Sequence, residues 1–275
     1  MKNYGVKIFK DRNKLRELLN LVKTSKYSAP RLAAIFDCNV KPIHGALNRR
    51  GIYLPNLGKF KKRYKYNEDF FSKLTPISAY WLGFIAADGC LYLKGEREKS
   101  FSITLKHADI NHLRKFRKVI GSNGKIGYIQ SNKSVHLGFY SCDKIFDSLV
   151  KRGVTPNKSL RIKKVIVHSR LMSHFIRGVF DGDGSLSGNK ITHIQFQIAG
   201  YKPLLRQIQG ILVKKCHINK VKIYSLSGQN KASRVQYTGS QIFKILDFLY
   251  KNSTSQTRLE RKYKKYLLFK KKFRK

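Results

Sequence analysis

Acids are the scarcest chemistry in this chain: 15 Asp and Glu stand against 58 Lys and Arg in 275 residues, a net charge of +43. Cysteine is sparse as well. Cys38, Cys90, Cys142 and Cys216 lie far apart, which excludes a Cys-x-x-Cys metal clip and argues against a disulfide framework. Dispersed thiols in a chain of this length point to an intracellular, reducing compartment. No apolar run approaches the roughly 20 residues that a spanning helix needs. The start shows no signal-peptide pattern, and no membrane partner is expected.

What is abundant is positive charge, and it runs along the whole chain rather than collecting in a tail. Self-repulsion on that scale disfavours an enzyme of small metabolites. A polyanion partner accounts for it, because each neutralised phosphate releases condensed counterions and adds affinity. Nucleic acid is the expected partner class. The length suits one large domain, or a large and a small one, with a substantial core.

One stretch occurs twice. Trp81-Leu-Gly-Phe-Ile-Ala-Ala-Asp-Gly89 is echoed by Ile176-Arg-Gly-Val-Phe-Asp-Gly-Asp-Gly184, which places Asp88 and Asp183 95 residues apart (183 − 88). Each copy reads as the end of a helix. Thr75 caps the first, Pro76 fills its first position, and Ile77, Tyr80, Trp81, Phe84 and Ile85 form an apolar face before Gly89 stops it. Ser169 is the expected cap of the second, with Leu171, Met172, Phe175, Ile176 and Val179 on the face and Gly184 at the stop. Small residues four apart, Gly83 with Ala87 and Gly178 with Gly182, let two backbones approach closely, so the helices are expected to meet there. Each carboxylate sits at the negative end of its helix dipole, where stability alone would not put it. Side-by-side packing brings both to one edge, as a site for a hard divalent cation. The plainer alternative is two core helices that each end in Asp-Gly.

Both segments resemble the LAGLIDADG motif of homing endonucleases, in the form that carries two motifs in one chain. The first copy departs from the pattern, with Ala86 where the second keeps Asp181. The resemblance implies an α+β fold of two pseudo-symmetric αββαββα repeats packed through their first helices, with antiparallel sheets forming a saddle over double-stranded DNA. It implies a monomeric, site-specific endonuclease that cuts a long, non-palindromic target by metal-dependent phosphodiester hydrolysis. Mg²⁺ is the implied cofactor, with Mn²⁺ able to substitute. Asp88 and Asp183 would hold it, assisted by the carbonyls of Ala87 and Gly182. Short 3′ overhangs and an intron, intein or free-standing gene follow from the same resemblance. Lys106 and Gln197, near the ends of returning strands, are candidates for positioning solvent or phosphate.

The predicted elements after each motif keep step, strand pair, helix, strand pair, helix, over 75–167 and again over 168–275. A basic helix closes the second half. Phe101, Ile103 and Leu105 alternate with Ser102, Thr104 and Lys106, while Ile194, Phe196 and Ile198 alternate with His193, Gln195 and Gln197. With Arg234 and Gln236, these outward polar residues are candidates for reading base edges in a major groove.

Residues 1–53 read as a small all-α module in which Ser28 caps a helix and Asp37-Cys-Asn39 makes a tight turn, as in a helix-turn-helix. Lys41, His44, Asn48 and Arg49 then face outward to meet DNA. A three-helix cap that only packs on the rest of the chain fits the same pattern. Residues 54–74 read as a basic linker. Two rival functions remain: an intron RNA maturase of the same fold, and a DNA-binding regulator that has lost cleavage.

Overall fold

A computed structural model of the chain describes residues 8–24, 27–52, 54, 64–94, 98–157, 162, 164–190, 193–226 and 232–273. The chain divides into two compact units, Met1–Lys61 and Lys62–Lys275.

In the smaller unit, α1 (Arg12–Thr24), α2 (Ala29–Ile35) and α3 (Val40–Asn48) enclose Phe9, Leu18, Leu32, Ala33, Ile43 and Leu47. The turn between α2 and α3 puts Asp37 at φ +44°. That left-handed conformation is usually left to glycine, but a short polar side chain tolerates it. Ser28 stands at the N-cap of α2 without a side-chain cap bond. Lys41, His44, Asn48 and Arg49 are all exposed.

The larger unit begins earlier than the sequence suggested. Residues 64–74, expected as the end of a linker, belong to its core: Phe71 is fully buried, and its carbonyl accepts Arg152 Nε at 2.8 Å. The aromatics in that stretch outweigh its lysines. The rest of the basic stretch, through Arg63, lies outside the described residues.

Two repeats follow. The first runs α4 (Pro76–Asp88), β1 (Gly89–Lys94), β2 (Glu98–Lys106), α5 (Ile110–Val119), β3 (Gly127–Ile129), β4 (Ser134–Phe139), α6 (Asp143–Lys151). The second runs α7 (Met172–Asp183), β5 (Gly184–Ser187), β6 (Gln195–Tyr201), α8 (Lys202–Cys216), β7 (Ile223–Ser225), β8 (Ala232–Thr238), α9 (Gln241–Tyr250), with α10 (Glu260–Phe273) after it. Each repeat carries a four-stranded antiparallel sheet, ordered β1-β2-β4-β3 and β5-β6-β8-β7. Register repeats too: Gly89 faces Ile103, and Gly184 faces Ile198.

The core lies between sheets and helices. Phe101, Ile103, Leu105, Val135, Leu137 and Phe139 are buried on one side of the first sheet, and Phe196, Ile198, Val235 and Tyr237 on one side of the second. α4 is buried all the way round from Ser78 to Ala86, as a helix that is apolar on every face must be. Thr75 and Ser78 close a capping box at its start. At the other motif the cap is His168, whose Nδ1 accepts from Arg170 N at 3.3 Å, rather than Ser169. A single 3₁₀ turn, Ser169–Leu171, precedes α7 there.

Candidate functional site

α4 and α7 cross on their glycines. A methyl at Gly83 would strike the carbonyl oxygen of Phe175 and come 3.0 Å from Val179 N. A methyl at Gly178 would strike the Tyr80 carbonyl oxygen and come 2.7 Å from Phe84 N. The two collisions mirror each other across the pseudo-twofold. One turn on, a methyl at Gly182 would overlap the Ala87 side chain and lie 3.2 Å from Asp88 Oδ2. All four small residues expected at the interface therefore meet there, and the bare Cα of Gly182 forms a cradle beside the Asp88 carboxylate.

Both helices end on their aspartates. Asp88 is half-buried and Asp183 exposed. Gly89 and Gly184 follow in extended conformation, at φ −75° and −93°, so the chain passes straight from each helix into a strand. The glycines provide room rather than a left-handed turn: a methyl at Gly89 would sit 2.6 Å from Ile85 Cγ2. Among the described residues no group of three or more His, Cys, Asp and Glu forms a ready metal cage. Two carboxylates beside helix-terminal carbonyls are a hard oxygen donor set, which suits a hard divalent cation.

Lys262, in the first turn of α10, is the residue that sequence reasoning missed. Its buried ammonium donates to the carbonyls of Phe180 (2.6 Å), Asp181 (2.8 Å) and Gly184 (2.6 Å), with Gly182 O at 3.4 Å. A cation at a helix C-terminus is favoured by the dipole. Burial lowers the Lys262 pKa to about 8, against the opposing pull of Asp181, Asp88 and Asp183. The Gly182 carbonyl, expected to assist a metal, thus already faces an ammonium. Only the basic composition of 254–275 hinted at such a residue, and it did not single out this position.

Asp181 does not join this edge. It is fully buried and accepts from Tyr80 Oη (2.8 Å), Tyr250 Oη (3.1 Å) and the Leu259 backbone N–H (2.7 Å). Burial raises its pKa, while Lys262 and the Leu259 N–H pull it back. Arg177, one turn earlier and fully buried, donates to Thr257 O (2.6 Å) and Leu249 O (2.5 Å) and pairs with His174 Nδ1 (2.9 Å). Leu82 and Ala86 stand at the matching places of α4, so the network centres on the second repeat, joined from the first by Tyr80 alone among the groups named here.

The solvent-facing rows of the sheets hold the other predicted residues. Thr104 is exposed and pairs with His136 Nδ1 at 3.0 Å, and Lys106 is exposed at the end of β2. Ser102 is a correction: it points outward by register but is only 5% exposed. Its strand neighbour is Gly138, where an added methyl would lie 2.9 Å from both His136 Nε2 and Tyr140 Oη. Those side chains cover the spot. His136, Tyr92 and Tyr140 are thus further members of this face, and strand alternation would have found them. On the second sheet Gln197 Nε2 donates to Gln195 Oε1 at 2.9 Å. Arg234 and Gln236 are half-buried and paired in register with Ala199 and Gln197. His193 is exposed but precedes β6, which starts at Gln195, rather than lying within the strand. Lys106 and Gln197 are not equivalents: the repeat sets Lys106 against Tyr201, and Gln197 against Ser102. Among the described strand residues of both outward faces, Glu98 is the one acid.

No family model matches the sequence, and no curated protein matches it. Solved structures do. The chain is similar to the I-SmaMI LAGLIDADG homing endonuclease bound to cleaved DNA, at 17% identity and TM-score 0.48, over 71% of this chain and 87% of that one. It is similar to the I-LtrWI LAGLIDADG homing endonuclease bound to target DNA, at 12% identity and TM-score 0.49, over 74% and 90%. It is also similar to the LAGLIDADG meganuclease I-AabMI bound to uncleaved DNA, at 13% identity and TM-score 0.45, over 72% and 92%.

Proposed function

We propose that this chain is a site-specific, double-strand DNA endonuclease of the homing type, using Mg²⁺ to hydrolyse phosphodiester bonds. The observation that carries the reading is the convergence of Asp88 and Asp183: two helices built to touch on Gly83 and Gly178 both end on a carboxylate. Asp88 and Asp183 would hold the ion, with the Ala87 carbonyl beside them. When bound, such an ion supplies an activated water and stabilises charge on the attacking and leaving oxygens.

The chain's own residues do the rest. The polar row of the first sheet (Thr104, Lys106, His136, Tyr92) and that of the second (Gln195, Gln197, Arg234, Gln236) offer donors and acceptors to base edges and phosphates. Their nearly acid-free character and the net charge of +43 suit a phosphate backbone. Because the two rows differ residue by residue, the target would be non-palindromic. Lys262 fixes the last turn of α7 and so the position of Asp183. In the smaller unit, Lys41, His44, Asn48 and Arg49 form an exposed row on α3 and its C-cap that suits a recognition helix. An RNA maturase and a cleavage-deficient regulator stay as second readings, and retention of both helix-terminal aspartates favours the nuclease over either.

The test is Asp88→Asn and Asp183→Asn, which keep shape and remove the metal-binding charge. Target DNA recovered from a randomised plasmid library should be bound within a few-fold of wild type by both variants and cut on both strands by neither. Wild-type cleavage by either variant in Mg²⁺ would remove these carboxylates from the active site.

A further inference from the structure

We infer that Tyr92 and Tyr140 form a stacking platform for unpaired nucleobases on the outward face of the first sheet, so that this face also binds single-stranded nucleic acid. The inference goes beyond the nuclease reading and does not rest on it.

Both rings lie back along their strands. On β4, the Tyr140 hydroxyl and the ring carbon that bears it stand 2.9 and 3.0 Å from where a methyl on Gly138 would be. On β1, the Tyr92 side chain is hydrogen-bonded to those of Cys90, two residues earlier, and Ser102. Cys90 and Gly138 are the strand partners of Ser102 on either side. The two phenols therefore come down over one row of the sheet, which accounts for Ser102 being 5% exposed although it points outward. Their outer surfaces stay in solvent, with Tyr92 53% and Tyr140 59% exposed. Shielding a strand glycine would account for Tyr140 alone, since Tyr92 has Cys90 rather than a glycine two residues before it.

Rings laid along a sheet suit unpaired strands. Four-stranded antiparallel sheets take up single-stranded RNA by stacking its bases on such aromatics, and stacking tolerates any sequence because every base has a π-face. Bases in a duplex are already stacked on one another and turn only their edges to a sheet, so paired DNA has no face to offer these rings. Tyr92 and Tyr140 stand on the two strands that flank β2, about 10 Å apart at two strand spacings, which lets each ring take its own base. The surroundings suit a polyanion. Glu98 is the one acid among the described strand residues of this face, and Lys106 and Lys133 are exposed beside it. By count from the matched registers, Ser187 and Thr238 stand where the first sheet has Tyr92 and Tyr140, so the second sheet lacks this pair.

The experiment uses DNA-free, full-length protein and three labelled probes of equal length, about a dozen nucleotides: oligothymidylate, oligouridylate, and a deoxyribose-phosphate strand without bases. Binding is read by fluorescence anisotropy at about 0.3 M salt, where contacts to phosphate alone are much weakened. Wild type should bind oligothymidylate at least about ten-fold more tightly than the base-free strand. Tyr92→Leu with Tyr140→Leu, which keeps Ser102 covered but removes both π-faces, should bring those two affinities within about two-fold of each other. Tyr92→Phe with Tyr140→Phe should stay within about three-fold of wild type, since a ring stacks without its hydroxyl. Tyr128 is 57% exposed, but its register partner Val135 lies on the buried side of the sheet, so Tyr128→Ser should bind oligothymidylate like wild type. If the leucine pair melts below wild type, each leucine single variant carries the same comparison. Oligouridylate bound as tightly as oligothymidylate extends the ligand to RNA, and a preference for oligothymidylate confines it to DNA; both keep the platform. Equal affinity of wild type for strands with and without bases overturns the inference. So does a leucine pair that binds oligothymidylate like wild type, or one that loses as much affinity for a blunt duplex of the same length, because the rings would then serve paired DNA. No cleavage enters the measurement, so the nuclease reading stands or falls apart from it.

Discussion

Gly83→Ala and Gly178→Ala probe the crossing on which the site depends. A Cβ needs about 3.4 Å or more from its neighbours, but at position 178 it would begin 2.7 Å from Phe84 N and 3.0 Å from the Tyr80 carbonyl carbon. Those obstacles are backbone and cannot rotate aside, so α4 and α7 must separate. Overpacking of this kind costs about 1–3 kcal/mol, and a backbone obstacle places each variant in the upper half of that range. At about 2–4 °C per kcal/mol for a chain of this size, the midpoint should fall by roughly 5–10 °C. Gly210, in the middle of α8, is the control. Nothing lies within 4 Å of its added methyl, so Gly210→Ala should gain about 0.5–1 kcal/mol from helix propensity. The chain has one tryptophan, Trp81, fully buried on α4, so its fluorescence reports on the crossing during the melt. Midpoints within 1 °C of wild type for both interface variants would refute the close approach.

Three further outcomes follow from named groups. Burial, aided by nearby cations, drives His112 down to about 3 and His174 to about 4, from an ordinary 6.5. Between those values and 6.5 the unfolded chain binds more protons, so stability present above pH 6.5 should fall as pH drops, by about 1.4 kcal/mol per pH unit for each histidine. His112→Asn should remove about half of that slope in urea titrations, and an unaltered slope would count against it. Arg177→Leu should cost about 3–5 kcal/mol, because the buried carbonyls of Thr257 and Leu249 lose their charged donor and Asp181 loses one of its two nearby cations. Arg177→Leu with Asp181→Ala, the pair present in α4 as Leu82 and Ala86, should cost at least about 1 kcal/mol less than the two singles added; strict additivity in denaturant titrations would show that the network is not coupled. Deleting residues 1–61 should leave cleavage intact at raised enzyme concentration and shorten the DNA footprint on one side only. An unchanged footprint would show that this unit does not touch the DNA.

Much of this architecture was legible because two periods recur in step. Helical spacing placed α4 and α7, strand alternation placed Phe101, Ile103, Phe196 and Ile198 inside, and the small-residue spacing announced the crossing. What escaped were features with no local signature. Ser102 alternates outward like any wet-face residue, and only the fold reveals that Gly138 lets His136 and Tyr140 close over its neighbourhood. Residues 64–74 look like a solvated basic run until Phe71 is seen in the core. Lys262 is one lysine in a tail crowded with them, and its distinction arises from where the start of α10 is tethered.

The Asp181-Gly-Asp183 run shows how two like residues come to opposite uses. At 100° per residue, side chains two apart on a helix point about 200° from each other. Asp183 reaches the open edge beside α4, and Asp181 must therefore point back into the protein. An uncompensated carboxylate there would be costly; the second repeat supplies the Tyr250 hydroxyl, a backbone N–H, Lys262 and, one turn back, Arg177, and α4 adds the Tyr80 hydroxyl across the interface. Position 86 in α4 faces inward by the same geometry and has no such company, since Leu82 replaces the arginine and no α10 follows. Alanine is what that environment tolerates. The departure of the first copy from the motif is thus a consequence of packing, and it leaves the exposed-edge carboxylates, Asp88 and Asp183, as the pair that both copies share.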